Sequence, residues 1–181
     1  MNTGCSFMFE QGMGEQLKTM YSIFARVPVE YGIQHIINQM SLYITNEGKR
    51  IVTNDENLKD PNKFTANLLL FKKKIDILIE KSFNKNMLFQ RARDLAFQDF
   101  MNTCKLTPYY IVIYSDSQFK LNFKQKSLKE IESELNEIVR LFCCLHGRDI
   151  FIASYTELLA SRLLNKTSVS DEAEKIMIRL L

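Results

Sequence analysis

An all-α fold is the class this sequence predicts, and three observations predict it. Gly and Pro are scarce, 6 and 3 in 181 residues, which speaks against a turn-rich all-β chain. Apolar residues recur at steps of three and four along most of the sequence, the spacing of a helix face. The one run of strand-like composition, Tyr109 to Tyr114, has no second strand in view to pair with it.

The elements follow in chain order. Residues 1–14, with Gly4, Gly12 and Gly14, read as a flexible N-terminus, frayed or locally ordered. From Glu15, the residues Met20, Ile23, Phe24 and Val27 share a face until Pro28 stops the run. Ile33, Ile36, Ile37, Met40, Tyr43 and Ile44 mark a second helix, which Gly48 is expected to end. Thr53 to Asn62 is polar, contains Pro61 and reads as a surface loop. Leu68, Phe71, Ile75, Leu78 and Ile79 then form one stripe, with Lys72, Lys73, Asp76 and Glu80 assigned to the opposite, wet side. Asn84-Lys85-Asn86 breaks that helix, and the next carries Leu88, Ala92, Leu95, Ala96 and Phe100. So short a turn makes the two an antiparallel hairpin.

Tyr109 to Tyr114 is β-branched and aromatic, yet Thr107-Pro108 is a good helix entry. With Thr as N-cap and Pro at the first helical position, a short buried helix is favoured. Ser127 and Glu130 form a capping box ahead of Leu128, Ile131, Leu135, Ile138, Phe142 and Leu145, a seam that wants a partner helix. That seam is short for a coiled coil, and packing within the chain is its expected use. Gly147 suits a C-terminal cap, and Asp149 can open a helix burying Phe151, Tyr155, Leu158 and Leu159. Ser170 or Asp171 begins a last helix through Ile176, Met177 and Leu180.

Composition excludes several functions. With 46% apolar residues the chain is globular rather than disordered. Its 24 basic and 21 acidic residues nearly balance, against the concentrated basic face of a phosphate-backbone binder. The two lysine groups, Lys72 to Lys74 and Lys120, Lys124, Lys126, Lys129, read as solvated helix faces whose neighbours Phe119 and Phe123 turn inward. No apolar run approaches the ~18 residues of a membrane helix, and the N-terminus lacks a basic secretory start. Asn2 stands where myristoylation needs glycine. Cys143-Cys144-x-His146 is the one cluster of metal-ligand types, but Cys5, Cys104 and His35 are scattered and supply no second pair. His35 reads as a half-exposed surface residue on its amphipathic helix, and no acid lies near either His to orient it. No glycine-rich phosphate loop is present. No catalytic, cofactor-binding or metal-binding residue is therefore assigned, and no cofactor is expected.

The C-terminal third resembles a known family. Asp149-Ile150-Phe151, Tyr155, Leu159-Ala160-x-Arg162-Leu163-Leu164, Ser168-x-Ser170-Asp171-x-Ala173-Glu174 and Met177-Ile178 are similar in order and spacing to the cullin core pattern. Leu141-Phe142 ahead of that block matches too. Upstream, Met20-Tyr21-Ser22-Ile23-Phe24-Ala25-Arg26-Val27 resembles the opening of the third cullin repeat. Phe83-Asn84, Leu88-Phe89, Ala92, Ala96-Phe97, Phe100 and Asn102 resemble its later block. One departure is Ser161, where cullins usually carry Lys or Arg; another is Cys143-Cys144 in place of a polar-aromatic pair.

Cullins are the elongated scaffolds of cullin-RING ubiquitin ligases. The resemblance implies a cullin-repeat helical bundle over residues 15–105 and the opening helices of a truncated four-helix bundle over 106–181. It implies a non-catalytic scaffold segment acting in ubiquitin-dependent protein degradation, in the cytoplasm or nucleus. Its protein partners, the ligase subunits, would bind mostly through regions outside this chain, with neither membrane nor nucleic acid expected. The chain is then expected to be an interior length of a longer protein. Phe151, Tyr155, Leu159, Leu163 and Met177 are the expected bundle core, and Arg162 an expected surface or interdomain pairing group. The alternative is a divergent, stand-alone helical interaction module without ligase assembly.

Overall fold

The computed structural model describes residues 4–181. Among them lie ten α-helices and one 3-10 turn, with no strand. In order these are α1 (Gly4–Glu10), α2 (Gly14–Phe24), α3 (Ile33–Val52), α4 (Asp55–Leu58), α5 (Pro61–Ser82) and α6 (Met87–Met101). There follow α7 (Thr107–Lys120), the 3-10 turn (Asn122–Gln125), α8 (Leu128–Cys143), α9 (Arg148–Asn165) and α10 (Asp171–Leu180). The all-α expectation holds, and Tyr109 to Tyr114 is helical within α7. The described residues fall into two compact units. The first runs up to Ile51 and takes in Leu70–Thr103; the second comprises Val52–Leu69 and Cys104–Leu181.

In the first unit the α3 stripe is buried as its spacing predicts, from Ile33 through Ile44. Gly48 does not end α3, which continues to Val52. A Cβ at Gly48 would collide with the Phe100 ring. The ring thus packs against bare backbone, and tertiary contact overrides the roughly 1 kcal/mol that glycine costs inside a helix. The hairpin turn is where the sequence puts it: Asn84 and Lys85 adopt positive φ (49° and 55°), and the Asn86 side chain accepts the Leu88 N–H. The α6 face is rotated from its expected register. Phe89, Ala96, Phe97, Phe100 and Met101 are buried, while Leu88 and Leu95 face outward. Aromatic stacking decides the rotation: Phe83 and Phe89 lie 4.1 Å apart between centroids, and Phe71 and Phe97 5.6 Å.

Three other expectations need correction here. Lys72 is buried, because its stem runs with the stripe and its ammonium pairs with Asp76 at 2.6 Å. The α2 face of Ile23, Phe24 and Val27 is exposed, and Leu17 is the side chain that α2 buries. The expected flexible start contains α1, anchored by buried Cys5 and by Phe9 against Tyr43. Residues 1–3, Asn2 among them, lie outside the described residues.

In the second unit, the expected loop from Thr53 to Asn62 contains the short helix α4, capped by the Asn54 side chain. Tyr110 donates its hydroxyl to the Leu58 carbonyl at 2.7 Å and meets Phe64 edge-on. Thr107 is not the N-cap of α7 but its first helical residue, fully buried, with Pro108 in the first turn. The Ser127–Glu130 capping box forms, and the α8 seam is buried from Ile131 to Leu145, with Leu128 outside it. Cys144, rather than Gly147, is the C-cap of α8. Gly147 serves as N-cap of α9, leaving Asp149 in the first turn, where a carboxylate favours the helix dipole.

Candidate functional site

The polar centre of the second unit is built by three helices and one linker. α9 carries Phe151, Tyr155 and Arg162 on its buried face; α7 supplies Asp116 and Phe119; α10 supplies Glu174. Lys166, in left-handed conformation, ends α9, and the Thr167 N–H returns to the Arg162 carbonyl at 3.0 Å. The Val169 N–H then bonds the Phe119 carbonyl at 3.0 Å, pinning the linker to α7. The Ser170 side chain starts α10 by accepting the Ala173 N–H.

Arg162 sits at the centre with 0% of its side chain exposed. Its Nε donates to Glu174 Oε1 at 2.7 Å and its Nη2 to Oε2 at 2.9 Å, a bidentate fork. Its Nη1 donates to Asp116 Oδ1 at 2.7 Å, and Lys120 holds the other Asp116 oxygen at 2.7 Å. Ser168 Oγ donates to Glu174 Oε1 at 2.9 Å, and the Tyr155 hydroxyl to Oε2 at 3.4 Å. The guanidinium lies 4.6 Å from the Phe119 ring centre and 5.4 Å from that of Tyr155. Two cations therefore face two carboxylates, and the charges are consumed by one another.

The proton affinities follow. Burial alone lowers the Arg162 pKa, but the bonds to Glu174 and Asp116 outweigh it and hold the guanidinium charged, above its ordinary value. Burial, reinforced by the Glu174 charge, raises the Tyr155 hydroxyl well above the usual phenol range. The node is a cross-brace tying α7, α9 and α10.

Sequence reasoning placed these residues unevenly. Phe151, Tyr155 and Met177 are core, as expected; Leu159 is half-buried and Leu163 exposed. Arg162 is not a surface group but the largest fully buried side chain among the described residues. The missed signal was positional. Arg162 lies seven residues after Tyr155 and eleven after Phe151, hence on their helix face, whereas Leu163 is turned about 100° away. Glu174 was flagged only by its place in the cullin core pattern, and Asp116 carried no flag, being an ordinary acid on a helix.

The other clusters stay apart. Cys143 is exposed and Cys144 buried, its Sγ 3.4 Å from the Arg140 carbonyl. His35 is exposed on α3. Among the described residues, no three His, Cys, Asp or Glu are grouped to hold a metal ion. Phe119 and Phe123 are buried edge to face, 5.2 Å apart, and Lys126 pairs with Glu134 at 2.7 Å. The neighbouring lysines thus have no aromatic stacking surface. Among the described residues, no helix is long and apolar enough to cross a membrane.

Packed helices braced by mutually satisfied charges define an all-helical class of protein. The sequence matches the model of the cullin alpha solenoid domain over residues 1–181. The chain belongs to the cullin family. It is 34% identical over 182 residues to Cullin-4A of Homo sapiens, covering 100% of this chain and 23% of that protein. It is 32% identical over 177 residues to Cullin-3B of Arabidopsis thaliana, covering 98% and 24%. Cullin-3 of Dictyostelium discoideum is 32% identical over 180 residues, covering 99% and 23%. The chain thus spans about a quarter of the length of these relatives.

Proposed function

We propose that the chain is a scaffold segment of a cullin-RING ubiquitin ligase, acting in ubiquitin-dependent protein degradation in the cytoplasm or nucleus. Its task is spacing: packed helices hold a substrate-recruiting end and a ubiquitin-loading end of a longer assembly at a set separation. That separation raises the effective concentration of one at the other without chemistry in this segment. The ligase subunits are its partners, mostly through regions beyond these residues. In this reading residues 15–105 correspond to a cullin repeat and 106–181 to the opening of the bundle that follows.

One observation carries the proposal. The family match runs the whole length of a chain whose central charged cluster is a brace, with each charge satisfied by another. A match of that extent also favours the scaffold over a stand-alone interaction module. The test is a chimera in which this chain replaces the corresponding quarter of human Cullin-4A. Assembly of the chimera and ubiquitin transfer near the parent's rate are expected. A chimera that folds and binds its subunits yet fails to support transfer overturns the spacing role. Ubiquitin transfer by this chain alone overturns its non-catalytic assignment.

A further inference from the structure

The α9–α10 linker brings a hydroxyl to the most sensitive point of the Arg162 brace. Ser168 Oγ shares Glu174 Oε1 with Arg162 Nε, at 2.9 and 2.7 Å. Ser168 is only half-buried, and a cavity of about 610 Å³ opens beside it, with Arg162, Lys166, Ser168, Glu174 and Lys175 in its wall. The residues after Ser168 are Val169-Ser170-Asp171-Glu172-Ala173-Glu174, so two exposed carboxylates, Asp171 and Glu172, fall three and four places downstream, while Glu174 is held in the fork. That is the charge pattern a kinase with a basic substrate groove selects.

We propose that Ser168 is a phosphorylation site for an acid-directed protein kinase, and that its phosphate takes Arg162 from Glu174 and loosens α10. In the transfer, Ser168 Oγ attacks the γ-phosphorus of ATP. The new O–P bond forms as the bond from that phosphorus to the β,γ-bridging oxygen breaks. ADP leaves, and the hydroxyl proton passes to the kinase's base. The product has lost the O–H donor that Glu174 used and has gained roughly two negative charges beside it. The phosphate offers Arg162 a bidentate acceptor, and Lys166 and Lys175 on the cavity wall add to its hold. Glu174 is left a buried carboxylate without its fork, and α10 keeps its apolar anchors Ala173 and Met177. Ser170, two residues on, responds in the opposite sense. It is the N-cap of α10, where added negative charge favours the helix end.

The test has two arms on the full chain. In the first, the chain is incubated with ATP and an acid-directed serine kinase, and the phosphate is located by mass spectrometry. Phosphate on Ser168, lost in Ser168→Ala, is expected; a chain modified only at Ser170, or not at all, overturns the site. In the second, phosphoserine is installed at 168 during translation, and amide exchange is followed across residues 171–180. Exchange there is expected to quicken about tenfold or more, against about twofold or less for Ser168→Ala and no quickening for phosphoserine at 170. Unchanged protection of α10 with phosphoserine at 168 overturns the switch.

Discussion

The two units solve the same problem, a charge carried into a helical core, with two cations and two carboxylates each but a different ion at the centre. In the first, one carboxylate lies between two cations: Asp76 pairs with Lys72 at 2.6 Å and with Arg93, which also holds Asp94 at 2.8 Å. In the second, one cation lies between two carboxylates, Glu174 and Asp116. The decisive difference is water. Asp76 keeps 25% of its side-chain surface and Arg93 13%, whereas Arg162 keeps none and Glu174 4%. A wet pair can exchange a lost partner for solvent; a dry one cannot. The comparison teaches that the worth of such a cluster lies less in its bonds than in what removal would strand.

The largest effect that could break this contrast is Glu174→Ala. Leaving Arg162 buried with half its partners should cost about 3–5 kcal/mol of unfolding free energy, read from the urea midpoint. Replacing both members together, Arg162→Met with Glu174→Leu, should recover at least half of that loss. A single-variant cost no larger than that of the double would show that the node is not sealed. Next comes the apolar counterpart in the first unit. Gly48→Ala should destabilise by about 1–3 kcal/mol through overpacking on Phe100, although alanine is the better helix former. A more stable variant would mean that the ring yields.

Arg93→Ala should cost less, about 1–2 kcal/mol, since Asp76 retains Lys72 and some contact with water. A loss equal to that of Glu174→Ala would erase the distinction between the units. The smallest effect is one of pH. Burial pushes the Cys5 thiol from 9.0 up to about 11. The folded form keeps its proton where the unfolded chain has lost it, so this contribution is complete below about pH 9 and falls away by about pH 11. Cys5→Ala should flatten that part of the stability profile, and an unchanged slope would remove Cys5 as its source.

Legibility in the sequence differed from element to element. Along α3 and α8 apolar spacing was enough: the α3 stripe and the α8 seam lie where predicted, as does the turn at Asn84-Lys85-Asn86. On α2 the same spacing chose Ile23 and Phe24, and the core took Leu17. The Ser127–Glu130 cap was legible too, since those residues need only each other. Thr107, by contrast, is the first residue of α7 and not its cap, and Gly147 caps the start of α9 and not the end of α8. The failures have separate causes. Periodicity assigns charge to the outside, which placed Lys72 in water, and the resemblance left Arg162 a surface or interdomain pairing group rather than a buried one. Periodicity also treats all apolar residues alike, so it chose Leu88 and Leu95 on α6 where ring stacking chose Phe89 and Phe97. Gly48 was read as a stop because glycine breaks isolated helices; the reason to keep it sits 52 residues downstream, at Phe100.

That contact also makes the first unit spectroscopically visible at a single residue. With Phe100 lying where a side chain would begin, the two α-protons of Gly48 sit within the ring's magnetic anisotropy. Their resonances must stand away from the ordinary glycine position and from each other while the unit is folded, and merge back when Phe100 departs. Glycine labelling of a chain with only 6 glycines therefore yields an internal beacon for the integrity of this core, with no probe attached.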